Sequence, residues 1–275
     1  MKDTACVEFL QWALPRLGKR WPGFRKVRRQ VCKRIDRRLA ALDLAGVTVY
    51  RTYLEAHPAE WATLDTMCRI SISRFYRDRG VFDCLRTEVG PALARAASGR
   101  GEKELHIWSL GCASGEEPYT LSLAWHLDWQ ARCPEMVCRF IATEADPHLL
   151  DRARRGCYSD SSLKDLPAAW RQAAFEPVDE HHCLREEFKT GVEFRQQDIR
   201  TDAPSERFHL ILCRNLVFTY FDMEGQQQVL ARLIRRLRPG GALVTGKTEQ
   251  LPPGASGFRP WFPKLGIYRK RVEST

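Results

Sequence analysis

An α/β architecture is predicted for these 275 residues: a doubly wound, mostly parallel sheet with helices on both faces, preceded by a small basic all-helical domain. Three observations predict it. From Leu105 onward, apolar runs of strand length alternate with helical stretches. Nothing before Leu105 has convincing strand character. The turn-rich string Ser98-Gly99-Arg100-Gly101 separates the two textures, which sets the expected domains at 1–98 and 99–275.

The helical part is dominated by charge. Between residues 16 and 40 there are eleven basic residues (Arg16, Lys19, Arg20, Arg25, Lys26, Arg28, Arg29, Lys33, Arg34, Arg37, Arg38) and one acid, Asp36; their net of +10 equals the formal charge of the whole chain. Phe24, Val27, Val31, Ile35, Leu39 and Leu42 recur at three- and four-residue spacing between them, the pattern of an amphipathic helix with a cationic back. A concentration of this kind suits an anionic partner, whether phosphate backbone, acidic protein surface or anionic lipid. A solvated basic face is the competing reading. Helical patterns continue over 50–56 and 60–67.

In the second part, 105–110, 137–143, 192–195, 209–213 and 242–245 read as buried strands. Helices are expected over 118–129, 147–154 and 223–237, the last stopped by Pro239-Gly240-Gly241. In such a sheet the ligand site lies at the carboxyl ends of the strands.

Composition excludes several classes. A hydrophobic content of 44% with eight Trp supplies a core, against disorder, fibre or disulfide mini-protein. There is no run of about 18 apolar residues and no leader-like start, so a cytoplasmic protein without membrane insertion is expected. The ten Cys are scattered without a CxxC pair and read as reduced thiols. His181-His182-Cys183 lacks a fourth zinc ligand at suitable spacing; it reads as a loop, and no metal site is expected.

The first strand runs into Gly111-Cys112-Ala113-Ser114-Gly115-Glu116-Glu117, where Gly111 and Gly115 allow a tight turn and close approach of a ligand to the backbone. The second strand ends in Glu144, an acid placed to accept hydrogen bonds from ribose hydroxyls. A glycine turn followed by such an acid fits a dinucleotide as well as a nucleoside. Glu116 and Glu117 would repel a pyrophosphate and suit a cationic ligand, and S-adenosylmethionine is the common nucleoside cofactor of that charge. One of the two acids is expected to be an ordinary first-turn acid favoured by the helix dipole.

Four strings in order, Ser109 to Thr120, Ala142 to Asp146, Cys213 to Asp222 and Gly246 to Glu249, resemble the successive signatures of the CheR-type chemoreceptor-glutamate O-methyltransferases. Upstream, Ile72-Ser-Arg-Phe-Tyr-Arg77 resembles that family's Thr-x-Phe-Phe-Arg motif, and Arg34 to Leu42 its basic helix. The matches run from about residue 24 to 270. The resemblance implies a Rossmann-like class I methyltransferase sheet and S-adenosylmethionine as cofactor. By position, Glu117 matches an acid that helps hold the cofactor, Glu144 the ribose-binding acid, Asp198 and Ile199 the pair flanking the adenine, and Asn215 and Leu216 the cofactor-contacting positions after the fourth strand. Arg77 and Ser73 match an Arg and a Thr that reach into the site, and Ser71 stands where the family usually has Asn. The family's substrate-facing Tyr lies four residues after the Asn; here Tyr220 lies five after Asn215, so acceptor geometry is expected to differ. Lys247 replaces a customary His. Residues 174–195 occupy the place of a small antiparallel insert that in some members docks a receptor tether; without a Gly-rich insertion, no tether docking is expected here.

The implied reaction is methyl transfer to a glutamate carboxylate of an acidic, helical, chemoreceptor-like protein docked on the basic helix, in chemotaxis signalling. Arg77 and Tyr220 are the candidate catalytic residues: Arg77 would align the carboxylate through its fork and Tyr220 would donate one hydrogen bond. A structural salt bridge from Arg77 to Asp78 or Glu88 is the bland reading. Packing beneath the sheet is expected for at least one of Phe218, Tyr220 and Phe221. The rivals are a small-molecule carboxylate methyltransferase, a nucleic-acid methyltransferase, disfavoured for want of a Pro-Pro-aromatic or Pro-Cys motif, and a non-catalytic cofactor-binding regulatory module. A monomer is expected.

Overall fold

In a computed structural model that describes residues 2–272, the chain forms two units. One comprises the residues up to Ser71 together with Thr219–Gln226; the other comprises Ile72–Phe218 and the residues from Gln227 on. The sequence pattern changes at 98, but residues 72–98 pack with the sheet. Phe75, Tyr76, Phe82, Leu85, Val89 and Leu93 share one apolar cluster with Leu105, Ile107 and Trp129. The division by packing therefore falls at 71/72.

The first unit is helical: Asp3–Arg16, Trp21–Phe24, Arg28–Ala41, Val47–Ala56 and Glu60–Met67. Leu10, Leu14, Phe24, Val31, Ile35, Tyr50 and Leu64 are buried at its centre, so the apolar stripe read from the sequence faces inward. Several cations of the same helix do not face solvent freely. Arg28 pairs with Asp3 at 3.0 Å, and Arg38 forks onto the buried Glu60 at 2.9 and 2.7 Å. Arg34 donates to the carbonyls of Met67 and Arg69. Lys19 is buried against Asp65. Residues 219–226 join this unit through the Lys19–Phe221 bridge, the Arg20 amide donating to the Tyr220 carbonyl at 2.9 Å, and the Asp222 amide donating to the Gly18 carbonyl at 3.0 Å. Gly23 is required there, because a Cβ would stand 2.3 Å from the Thr219 carbonyl oxygen.

The second unit carries a seven-stranded sheet of β1 (Glu104–Leu110), β2 (Val137–Glu144), β6 (Val192–Gln196), β7 (Phe208–Cys213), β8 (Leu237–Thr245), β9 (Phe258–Phe262) and β10 (Ile267–Lys270), in the order β6-β2-β1-β7-β8-β10-β9. The β6-β2-β1-β7-β8 part is parallel, and β10 and β9 are antiparallel. From β1 the chain winds outward through β2 to β6, then returns to the other side of β1 as β7. The switch point therefore lies between β1 and β7, where a crevice opens at the strand ends. All five expected strands form. The helix from Met223 ends at Arg236, and Pro239-Gly240-Gly241 lies inside β8. Leu237 already pairs with Phe208, and a register shift with Gly240 at φ 73° follows. The Pro-Gly-Gly is thus a kink within a strand.

Strands β3 (Cys157–Tyr158), β4 (Phe175–Val178) and β5 (His181–Leu184) make a second, antiparallel sheet in the order β3-β5-β4. The His181-His182-Cys183 segment is therefore a strand, which corrects the expected loop. The reduced-thiol expectation is corrected for four of the ten cysteines. Cys6 is bonded to Cys32 and Cys157 to Cys183, both pairs 26 residues apart, with Cys157 directly opposite Cys183 across β3 and β5. No described helix is long and apolar enough to cross a membrane.

Candidate active site

The site is built at the carboxyl end of β1. The Gly111 and Cys112 amides both donate to the Thr143 carbonyl, at 2.8 and 3.0 Å, which folds the loop over the end of β2. Gly111 and Gly115 have φ of 70° and 92°, and Ala113 between them 48°. A Cβ at Gly111 would fall 2.5 Å from Leu216 Cδ2, and one at Gly115 would fall 2.9 Å from Ala153 Cβ. Both glycines answer to conformation and to space.

Glu144 organises this loop. Its Oε2 accepts the Ala113 amide at 3.1 Å, and its Oε1 accepts the amides of Ala145 and Asp146 at 2.8 and 3.1 Å. The acid that ends β2 is thereby held against the glycine turn, half-buried.

Both loop acids lie in the first turn of the helix Glu116–Ala124, and side chains engage each of them as well. Glu116 is 2% exposed and receives the Ser114 hydroxyl on both oxygens, at 3.0 and 3.1 Å. Burial pushes its carboxyl above the usual range, opposed in part by hydrogen bonds that include one from Ser73. Glu117 accepts Ser109 Oγ at 2.8 Å and Arg214 at 2.9 Å. The carboxylates of Glu144, Glu117 and Glu116 reinforce the effect of burial in pushing the Cys112 thiol well above its ordinary value. Three acids thus stand about the loop, Glu117 among them paired with Arg214.

Arg214, which the sequence reading gave no role, links the parts. Its guanidinium, buried, donates to Glu117, to Asp78 at 2.7 Å and to the Arg77 carbonyl at 3.0 Å, and lies 5.0 Å from the centre of the Phe82 ring. Asp78 is thus engaged by Arg214. The Arg77 side chain donates to the Ile72 carbonyl at 2.6 Å and forms no ion pair among the described residues, so the salt-bridge alternative for Arg77 is not what forms. Glu249 was missed in the same way. Its Oε2 accepts the amides of Asn215 (2.8 Å, φ 54°) and Gly246 (2.6 Å), which ties the end of β7 to that of β8. The available signal was position, an ionisable residue directly after a buried apolar strand or closing a matched motif.

The remaining candidates are less convergent. Asp198 pairs with Arg200 at 2.6 Å, and the Ile199 carbonyl accepts from Arg232. Lys247 is exposed. Ser71 and Tyr220 belong to the first unit, where Tyr220 packs its ring 5.0 Å from that of Phe24. Phe218, Tyr220 and Phe221 are all buried.

A switch-point glycine turn with an acid at the next strand's end, surrounded by carboxylates, defines an α/β domain for a cationic nucleoside. The family described as "CheR methyltransferase, SAM binding domain" matches residues 71–264. The chemotaxis protein methyltransferase of Listeria innocua is 33% identical over 186 residues, 68% of each chain. That of Escherichia coli K12 is 30% identical over 231 residues, 81% of this chain and 76% of that one. A probable chemotaxis protein methyltransferase of Rhizobium etli is 29% identical over 247 residues, 86% of this chain and 88% of that one. The chain belongs to the CheR methyltransferase family and is an S-adenosylmethionine-dependent methyltransferase. The donor set fits this cofactor: bare backbone at Gly111 and Gly115, an acid at Glu144, and negative charge about the turn to meet a sulfonium and an ammonium.

Proposed function

We propose that this enzyme methylates glutamate side chains of an acidic protein, in the manner of the chemotaxis methyltransferases it is similar to. The observation that carries the reading is the mounting of Arg77. Among the described residues its guanidinium is engaged only by the Ile72 carbonyl, and its own carbonyl is joined through Arg214 to Glu117. A cation with donors to spare, fixed by its backbone to a cofactor-side acid, is suited to orient an incoming carboxylate.

Gly111, Gly115, Glu117, Glu144, Asp198, Ile199, Asn215 and Leu216 would hold the cofactor, with Ser71, Ser73 and Arg77 reaching toward it. When bound, S-adenosylmethionine supplies a sulfonium-activated methyl group. A glutamate with pKa of about 4.3 is already an anion at neutral pH, so this chain needs no general base. Its residues have to align the carboxylate oxygen and strip it of water. Arg77 does the first through its directional fork, and Tyr220 adds one hydrogen bond. Contacts of moderate strength serve best, because a fully neutralised carboxylate is a poorer nucleophile. The acceptor docks on the exposed cations of the helix Arg28–Ala41. A cytoplasmic location goes with this reading, although a reducing compartment disfavours the Cys6–Cys32 and Cys157–Cys183 bonds.

Labelled-methyl transfer to cell extract, followed by mild base, tests it. A methyl ester releases its label as methanol. Label that survives base and resides on nucleic acid or on nitrogen overturns the reading.

A further inference from the structure

A cavity of about 340 Å³ opens outside the glycine turn, lined by Arg152, Arg155, Cys157, Tyr158, Ser159 and His181. Its size falls in the range of small-molecule sites, roughly 300 to 1,000 Å³. The neighbouring charges are largely engaged elsewhere. Arg154 pairs with Asp151, Lys189 with Glu186, and Arg171 and His182 with Asp160. The guanidiniums of Arg152 and Arg155 and the ring of His181 form no hydrogen bond or ion pair among the described residues. Arg152 feels the field of the buried Glu116 carboxyl without touching it. The helix dipole alone accounts for cations in the last turn of Pro147–Arg155. It does not account for their convergence with an imidazole and a hydroxyl on one cavity. The walls are fixed relative to each other: Cys157 is bonded to Cys183, the Leu184 amide donates to the Gly156 carbonyl at 2.8 Å, and Tyr158 donates its hydroxyl to the Ser114 carbonyl at 2.7 Å.

We infer that this cavity is a binding site for a small organic phosphate, held by Arg152 and Arg155 with Ser159 and His181 completing the shell. Four of the lining residues carry side-chain donors, Ser159 Oγ also lying 2.9 Å from Ser161 Oγ; such a set suits a tetrahedral oxyanion better than a planar carboxylate, and guanidinium forks are matched to phosphate oxygens. A bare phosphate fills only part of the cavity, so an organic scaffold occupies the rest. The site is independent of the acceptor reading above.

The test uses the full chain saturated with S-adenosylhomocysteine, so that no probe reports on the cofactor site. Calorimetry with glycerol 3-phosphate and ribose 5-phosphate is expected to show saturable binding, tighter than with inorganic phosphate or glutarate. Arg152→Ser with Arg155→Ser is expected to weaken it by roughly tenfold or more, since hydrogen bonds to charged groups are lost. Both residues are exposed, so an unchanged melting temperature is expected, and each single variant serves as a check. Absence of binding by the esters, binding unchanged in the double variant, or glutarate binding as tightly as the esters overturns the proposal.

Discussion

The roles proposed for Arg77 and Glu144 make separable predictions. For Arg77→Ala, turnover should fall about a hundredfold as the acceptor loses alignment, while cofactor affinity stays within a few-fold. Loss of melting temperature with wild-type turnover would instead make Arg77 structural. For Glu144→Ala, affinity for S-adenosylmethionine and S-adenosylhomocysteine should drop by roughly 1.5 to 3 kcal/mol, measured by calorimetry. That carboxylate also anchors Ala113, so the loop loosens as the ribose contact is lost. Glu116 carries a pH signature. Burial raises its folded-state pKa above the unfolded value, so the unfolded chain releases this proton first, and its contribution to stability is full below the unfolded pKa and declines as pH rises toward the folded one. Glu116→Gln should therefore raise the melting temperature at pH 8, with a gain that shrinks toward pH 5; no pH dependence of the difference would show the carboxyl to be well solvated. Residue types and spacing made Glu144 and the glycines legible in the sequence. The partners were not. Nothing local in Arg214 or Glu249 tells that their contacts lie 97 and 34 residues away, at Glu117 and Asn215.

At the scale of elements, periodicity located the helices and strands, because a buried face imposes its repeat on the sequence. It could not sort the cations of the helix Arg28–Ala41, since pairing depends on acids brought in by other helices. Arg28, Arg34 and Arg38 hold Asp3, two carbonyls and Glu60. Arg29, Lys33 and Arg37 are exposed, four residues apart, and form the stripe free to dock a partner. Charge reversal at these three should raise the Michaelis constant for a protein acceptor while leaving cofactor binding unchanged. The effect should fade as salt shortens the screening length from about 10 Å at 0.1 M to about 3 Å at 1 M. Reversal at Arg28, Arg34 and Arg38 should lower the melting temperature first. If the exposed triple instead abolishes nucleic-acid binding and spares carboxylate methylation, the helix serves another partner. The β3-β5-β4 sheet escaped the pattern because two- and four-residue strands are too short to establish a period of two.

For the molecule as a whole, covalent bonds and chain path were the least legible features. Cys68, Cys84, Cys112, Cys133, Cys138 and Cys213 remain free, so a thiol reagent applied in denaturant without reductant should titrate six groups. Ten would mean that neither bond exists in the isolated protein. Reduction should lower the melting temperature, each bond closing a loop worth about 3 kcal/mol.

The return of residues 219–226 to the first unit bears on inheritance. A gene segment ending at residue 71 does not encode that unit whole. Its missing piece is interleaved in the sheet's own coding sequence, where Gly23 must accommodate the Thr219 carbonyl and Lys19 must meet Phe221. Recombination between relatives cannot exchange the basic helices as a cassette unless this distant octapeptide travels with them. The helices of the first unit and the loop carrying Tyr220 are thus bound to diverge as one heritable block.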